Sequence, residues 1–166
     1  KGILSTTLTG RELNAILLGY GFRTGGAKTV VVRVISSYAN NNERYMSNIV
    51  KITATVFADP SVLKASAAEV TLTLANVANN ALDLSWSPAF NGFTGSVAYT
   101  LQIDSTGKGF VTPQEAAIPA GAFSKSYTQG QLNTAAIALG IVGGTSGKLD
   151  YRVKAVTASG DIVYSN

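Results

Sequence analysis

The chain contains no cysteine and no histidine. Without cysteine there is neither a disulfide nor a thiolate metal site. Without histidine the commonest general base is missing, and so are most zinc and copper sites. Proline is scarce, with 4 residues, and there is a single tryptophan. No apolar run approaches the roughly 18 residues that a spanning helix needs. Charged residues make up only 13% of the chain. They contain no carboxylate pair in a recognisable hydrolase arrangement: Glu12, Glu43, Glu69 and Glu115 are scattered. The serines have no histidine partner and no nucleophile-elbow motif. Thr24-Gly25-Gly26-Ala27-Lys28 lacks the spacing of a phosphate-binding loop. The residues present therefore point away from catalysis and name no cofactor.

What is there is a repeat. Ser5/Ser124, Thr9/Thr128, Leu13/Leu132, Asn14/Asn133, Gly21/Gly140, Gly25/Gly144, Arg33/Arg152, Val34/Val153 and Ala39/Ala158 match at one constant separation. Removing one residue near Asn42 brings Ser47-Asn48 onto Ser165-Asn166. The matches fall on caps, turns and strand faces, as they do in repeated structural units. Each copy opens with Thr-x-x-Glu/Gln (Thr9 with Glu12, Thr128 with Gln131), the spacing of a capping box. Leu13, Ile16 and Leu17, and likewise Leu132, Ala136 and Leu139, then form an apolar stripe on a short helix. Gly21 and Gly140 stand where a left-handed residue would end it. Val30, Val32 and Val34, like Leu149, Tyr151 and Val153, alternate as a half-buried strand does.

Along the chain, Leu4–Leu8 reads as a strand, 30–38 as another, Asn40–Asn42 as a hairpin turn, and Arg44–Phe57 as the last strand of a unit. Asp59-Pro60 marks the boundary. Beyond it, alternation predicts strands at Val70–Leu74, Leu82–Trp86, Val97–Ile103, Phe110–Val111 and Phe123–Tyr127, and a closing hairpin of Tyr151–Thr157 with Ile162–Tyr164. The predicted fold class is all-β: tandem immunoglobulin/fibronectin III-like β-sandwiches, each with one short inserted helix. Residues 1–58 read as the C-terminal half of a first domain, and 59–166 as a second domain lacking its last strand. An edge left open at Ile162–Asn166 would suit strand addition. The chain reads as a section of a longer protein.

Charge is uneven: seven Lys and Arg against Glu12 and Glu43 up to Phe57, then six against seven acids. The basic residues are spaced singly, without interleaved aromatics, so no nucleic-acid surface is expected. Trp86 is in phase with Leu82 and Leu84, which predicts a core position. Phe90 and Phe93, in a Gly-containing loop, are the candidate glycan or partner contacts, against the plainer reading that they cap the end of the sandwich. Asp104-Ser-Thr-Gly107 has too few acidic ligands for a calcium loop and reads as a hairpin turn. Arg33 and Arg152 read as outward-facing surface residues.

Leu82-Asp-Leu-Ser-Trp86-Ser-Pro88, Tyr99-Thr-Leu-Gln-Ile-Asp104 and Tyr151-Arg-Val-Lys-Ala155 resemble a fibronectin type III or immunoglobulin-like domain. Together with Gln131-Leu-Asn, Leu139-Gly and Tyr164-Ser-Asn, the order resembles the N-terminal immunoglobulin-like domains of SusE-type outer-membrane lipoproteins, from the polysaccharide-utilisation systems of Bacteroidota. The resemblance implies a non-catalytic protein on the extracellular face of the outer membrane. It would be attached only through a lipid anchor outside this sequence, and would work beside a SusC/SusD-type transporter complex and its polysaccharide. In that family, glycan is bound mainly by C-terminal modules, and the immunoglobulin-like domains look like spacers. The alternative is a structural surface protein or adhesin whose repeats form a stalk or bind a partner subunit.

Overall fold

The computed structural model describes residues 4–38 and 43–166. Its elements are α1 (Gly10–Gly19), β1 (Ala27–Val32), β2 (Ile35–Tyr38), β3 (Glu43–Met46), β4 (Val50–Thr55), β5 (Leu63–Ala65), β6 (Asn80–Trp86), β7 (Val97–Ser105), β8 (Gln114–Ala117), β9 (Ser124–Thr128), α2 (Gln129–Ala138), β10 (Leu149–Thr157) and β11 (Ile162–Tyr164). The described part is mostly β, its strands paired antiparallel, with two short helices. Beyond Pro60, a three-stranded sheet β5-β6-β9 and a four-stranded sheet β11-β10-β7-β8 enclose the core.

Alternation explains that core. On β6, Leu82, Leu84 and Trp86 are buried, as their phase predicts. They cluster with Tyr99, Leu101 and Ile103 of β7 and Val153 and Ala155 of β10, and Tyr127 of β9 and Leu132 of α2 complete the core. Burial raises the phenol pKa of Tyr127, and that of Tyr151 to about 12, with the neighbouring Tyr127 adding to the second shift.

Both helices carry the caps their sequences specify. Thr9 N donates to Glu12 Oε2 at 2.7 Å while Glu12 N donates to Thr9 Oγ1 at 3.2 Å. Thr128 N donates to Gln131 Oε1 at 3.0 Å and Gln131 N to Thr128 Oγ1 at 3.2 Å. The bonds from Thr9 hold the Glu12 carboxyl below its ordinary range. Each helix ends in a Schellman motif: Phe22 N bonds Leu17 O and Gly21 N bonds Leu18 O, as Ile141 N bonds Ala136 O and Gly140 N bonds Ile137 O. Gly21 at φ 77° and Gly140 at φ 91° are the left-handed residues these ends require. Thr128→Ala is expected to lower stability by about 1 kcal/mol, with Thr128→Ser retaining most of it. The urea midpoint reads this, and equal loss in both variants would count against the cap.

The repeat extends to hydrogen bonds. Ser36 pairs Tyr45 across β2–β3, as Ala155 pairs Val163 across β10–β11. Ser47 N donates to Val34 O at 2.9 Å and Val34 N to Ser47 Oγ at 2.9 Å. At the matching positions Ser165 N donates to Val153 O at 2.9 Å and Val153 N to Ser165 Oγ at 3.0 Å. The shared serines thus make the same strand-end loop twice.

Several expected elements differ. Leu4–Leu8 forms no strand, and Leu4 is 91% exposed. The predicted 30–38 strand breaks into β1 and β2, and Arg44–Phe57 into β3 and β4, because the Ser47 loop interrupts pairing. Val32 is exposed, since β1 pairs with β4 in a two-stranded ribbon that no second sheet covers among the described residues, and Val34 is exposed in the link between β1 and β2. On α1 the buried residues are Asn14, Leu17 and Leu18, not Ile16. Val70–Leu74 is not a strand: it pairs with no neighbour and runs into a single 3₁₀ turn, Leu74–Asn76, while the pairing with β6 is made earlier, by β5. Phe110–Val111 lies in a loop, and β8, which alternation does not predict, pairs with β7. The Asn40–Asn42 turn and Ala39 lie outside the described residues.

Candidate functional site at the joint

The chain up to Phe57 packs against the sandwich through apolar side chains, and three polar clamps brace this joint: one within the N-terminal part, one within the sandwich and one between the two. Leu17, Leu18 and Val56 are buried in the same cluster as the sandwich core. Asn14 forms the first clamp, donating from Nδ2 to Phe57 O at 3.2 Å and accepting from Phe57 N at Oδ1 at 2.8 Å. It is 6% exposed, so the side-chain amide replaces backbone pairing that a strand would have supplied. Its repeat counterpart Asn133 is exposed.

Asp59 forms the second clamp, gripping the loop between β6 and β7. Its Oδ2 accepts from Asn91 N at 2.9 Å and its backbone O from Phe90 N at 2.8 Å. Arg11 Nη2 stands 3.4 Å from Asp59 Oδ1, but the Arg11 side chain is half exposed, so this ion pair adds little. Asp161 forms the third, its Oδ1 accepting from Thr24 N at 2.9 Å and from Thr24 Oγ1 at 3.4 Å.

The two candidate phenylalanines sit in this loop and differ in role. Phe90 is 2% exposed and belongs to the core, held at φ 51° by the Asp59 bond. Phe93 is half buried and donates its N–H to Phe90 O at 2.8 Å. Its ring lies over Gly95, where a Cβ would push the ring edge aside. Both line an open cleft of about 320 Å³ with Pro88, Val97, Tyr99 and Phe123. Tyr99 and Phe123 meet edge to face at 5.5 Å, and Tyr99 Oη accepts from Ala89 N at 2.9 Å. Burial raises the Tyr99 pKa, and the Ala89 bond opposes the shift.

A second, larger groove of about 640 Å³ runs from this loop onto α1, between Gly92 and Thr94 on one side and Arg11, Glu12, Ile16 and Tyr20 on the other. Tyr20 is 77% exposed. It escapes a repeat-based reading because it is the helix C-cap and its counterpart is Leu139. The groove therefore offers an aromatic face beside a carboxylate and a guanidinium. Its lining residues assemble no catalytic constellation.

Elsewhere, Arg33 is exposed whereas Arg152 is half buried. The Arg152 guanidinium is stacked 4.1 Å from the Phe110 ring centroid and 4.0 Å from that of Tyr164, with Nε donating to Gln102 Oε1 at 2.6 Å. That arrangement is a packing motif of the outer sheet face. Trp86 is 6% exposed, inside the core. Among the described residues no helix is long and apolar enough to cross a membrane.

No curated protein matches the chain. The family model described as SusE outer membrane protein matches residues 47–154, from just after β3 through most of β10. That span is more than half of the chain and includes most of the sandwich and the Asp59 clamp, and so the chain belongs to the SusE outer membrane protein family and to the cell surface of the outer membrane.

Proposed function

We propose that this chain is a non-catalytic segment of a cell-surface lipoprotein that spaces or presents glycan-binding modules beside a SusC/SusD-type importer. In this reading the two copies are tandem immunoglobulin-like units, 1–58 the rear half of one and 59–166 the next. The observation that carries it is the joint: one apolar cluster continues from α1 into the sandwich, Asp161 bonds Thr24 across it, and Asn14 and Asp59 brace the chain on either side. A spacer must hold its ends at a constant distance, and such a joint does so. Phe93 is the residue through which the loop would touch glycan or a partner, with Phe90 buttressing it from the core.

Two measurements test this. Affinity-tagged protein extracted from outer membranes is expected to co-purify with transporter components. The isolated chain is expected to bind polysaccharide at most weakly, with Phe93→Ala reducing any retention on immobilised glycan by several-fold. Failure to co-purify, together with ordered self-association and no glycan retention, would favour the structural adhesin reading instead.

A further inference from the structure

The outer face of the four-stranded sheet carries a feature that the joint does not use. Asp104 of β7 and Asp150 of β10 are direct cross-strand partners. Their Cβ atoms therefore lie about 5 Å apart on one face, where two like charges repel. Asp104 is 3% exposed. Its Oδ1 accepts from Ser105 N at 2.8 Å, while its Oδ2 is buried with no hydrogen-bond partner. Asp150 Oδ1 accepts from the Thr106 hydroxyl at 2.8 Å.

Among the described residues no cation forms an ion pair with either carboxylate, and the ion pair formed is Arg11–Asp59. Arg152, the next residue along the same face of β10, is engaged by Gln102 and stacked between Phe110 and Tyr164. An enclosed carboxylate oxygen lacking both donor and cation is costly, and a hard divalent cation removes that cost by binding oxygen from both carboxylates.

We propose that Asp104 and Asp150, with the Thr106 hydroxyl, form a calcium site that ties β7 to β10 on the outer face of the sheet. Asp104 to Gly107 alone has too few ligands, and the second carboxylate comes from a strand far away in sequence. Calcium suits such a site better than magnesium, because it tolerates irregular oxygen geometry and water in the remaining positions. Among the described residues no three acidic side chains converge, so the site is a weak one, of the kind that extracellular modules use at about 0.1–1 mM.

The test is calorimetric titration of the chelator-treated chain with calcium chloride, with thermal unfolding at matched ionic strength. Saturable binding is expected at about 0.1–1 mM. At about ten times the dissociation constant, Tm should rise by about 3–6 °C. Asp150→Asn should abolish both responses while remaining folded, since Asp150 is only partly buried. Asp104→Asn should do the same, and Asp150→Asn decides the matter if Asp104→Asn does not fold. The proposal is overturned if calcium is without effect on the native chain, or if Asp150→Asn responds equally.

Discussion

Leu101→Ala is expected to lower the unfolding free energy by about 3–5 kcal/mol, among the largest effects of any apolar truncation in the chain. Leu101 is 0% exposed at the middle of β7, where it pairs with Val153 on one side and Ala116 on the other. Its side chain enters the space between the sheets together with Leu84 and Trp86 of β6. Removing it leaves a void that neighbours on two hydrogen-bonded sheets cannot close without breaking register, so the cavity cost adds to the lost transfer free energy. Urea unfolding should show a lower midpoint with an unchanged slope. Leu74→Ala is the control: Leu74 is 91% exposed, and its loss should stay within about 0.5 kcal/mol. A Leu101→Ala cost below about 1 kcal/mol would mean that the two sheets do not close on one another as described.

This contrast between Leu101 and Leu74 shows what is legible in a sequence of this kind. Both are leucines in alternating stretches, and period-2 alternation says only that one face is available for burial. Whether a face is covered depends on a partner elsewhere in the chain. Leu82, Leu84 and Trp86 of β6 meet an opposing sheet, whereas Val32 and Val34 alternate equally well and remain exposed.

Caps and helix ends are legible because they are local: Thr9 and Glu12 decide a capping box within one turn, and Gly21 decides the end of the same helix. The helix face is legible only in part, because Leu18 rather than Ile16 is buried, and that depends on how α1 docks. At the candidate site, the loop of Phe90 and Phe93 is legible from its glycines, but the division of labour between the two rings is not. It follows from the Asp59 bonds, and those join residues distant in sequence. Tyr20 gives no signal at all, since a helix C-cap carries no periodicity.

Asp161→Ala is expected to loosen the joint by about 2–3 kcal/mol, since a hydrogen bond to a buried charged acceptor is lost and its donor is left unsatisfied. Asp161 is 5% exposed, in the turn between β10 and β11. Its backbone is anchored independently of its carboxylate: Asp161 N donates to Thr157 Oγ1 at 3.0 Å, and Thr157 N donates to Asp161 O at 3.0 Å. The alanine variant therefore keeps the turn and removes the acceptor that Thr24 N uses. Amide exchange at Thr24 should accelerate by about 30-fold or more, which is what about 2 kcal/mol implies, while exchange in β7 and β10 stays unchanged. Asp161→Asn retains a side-chain carbonyl and should cost less than half as much. The packing of Leu17, Leu18 and Val56 into the core cluster remains in both variants, so the N-terminal part should loosen at one corner without detaching. If Thr24 exchanges at the same rate in Asp161→Ala as in the unmodified chain, apolar packing of Leu17, Leu18 and Val56 alone holds that corner. The rigidity on which the spacer reading depends would then reside in the core cluster and not in the Asp161 bond.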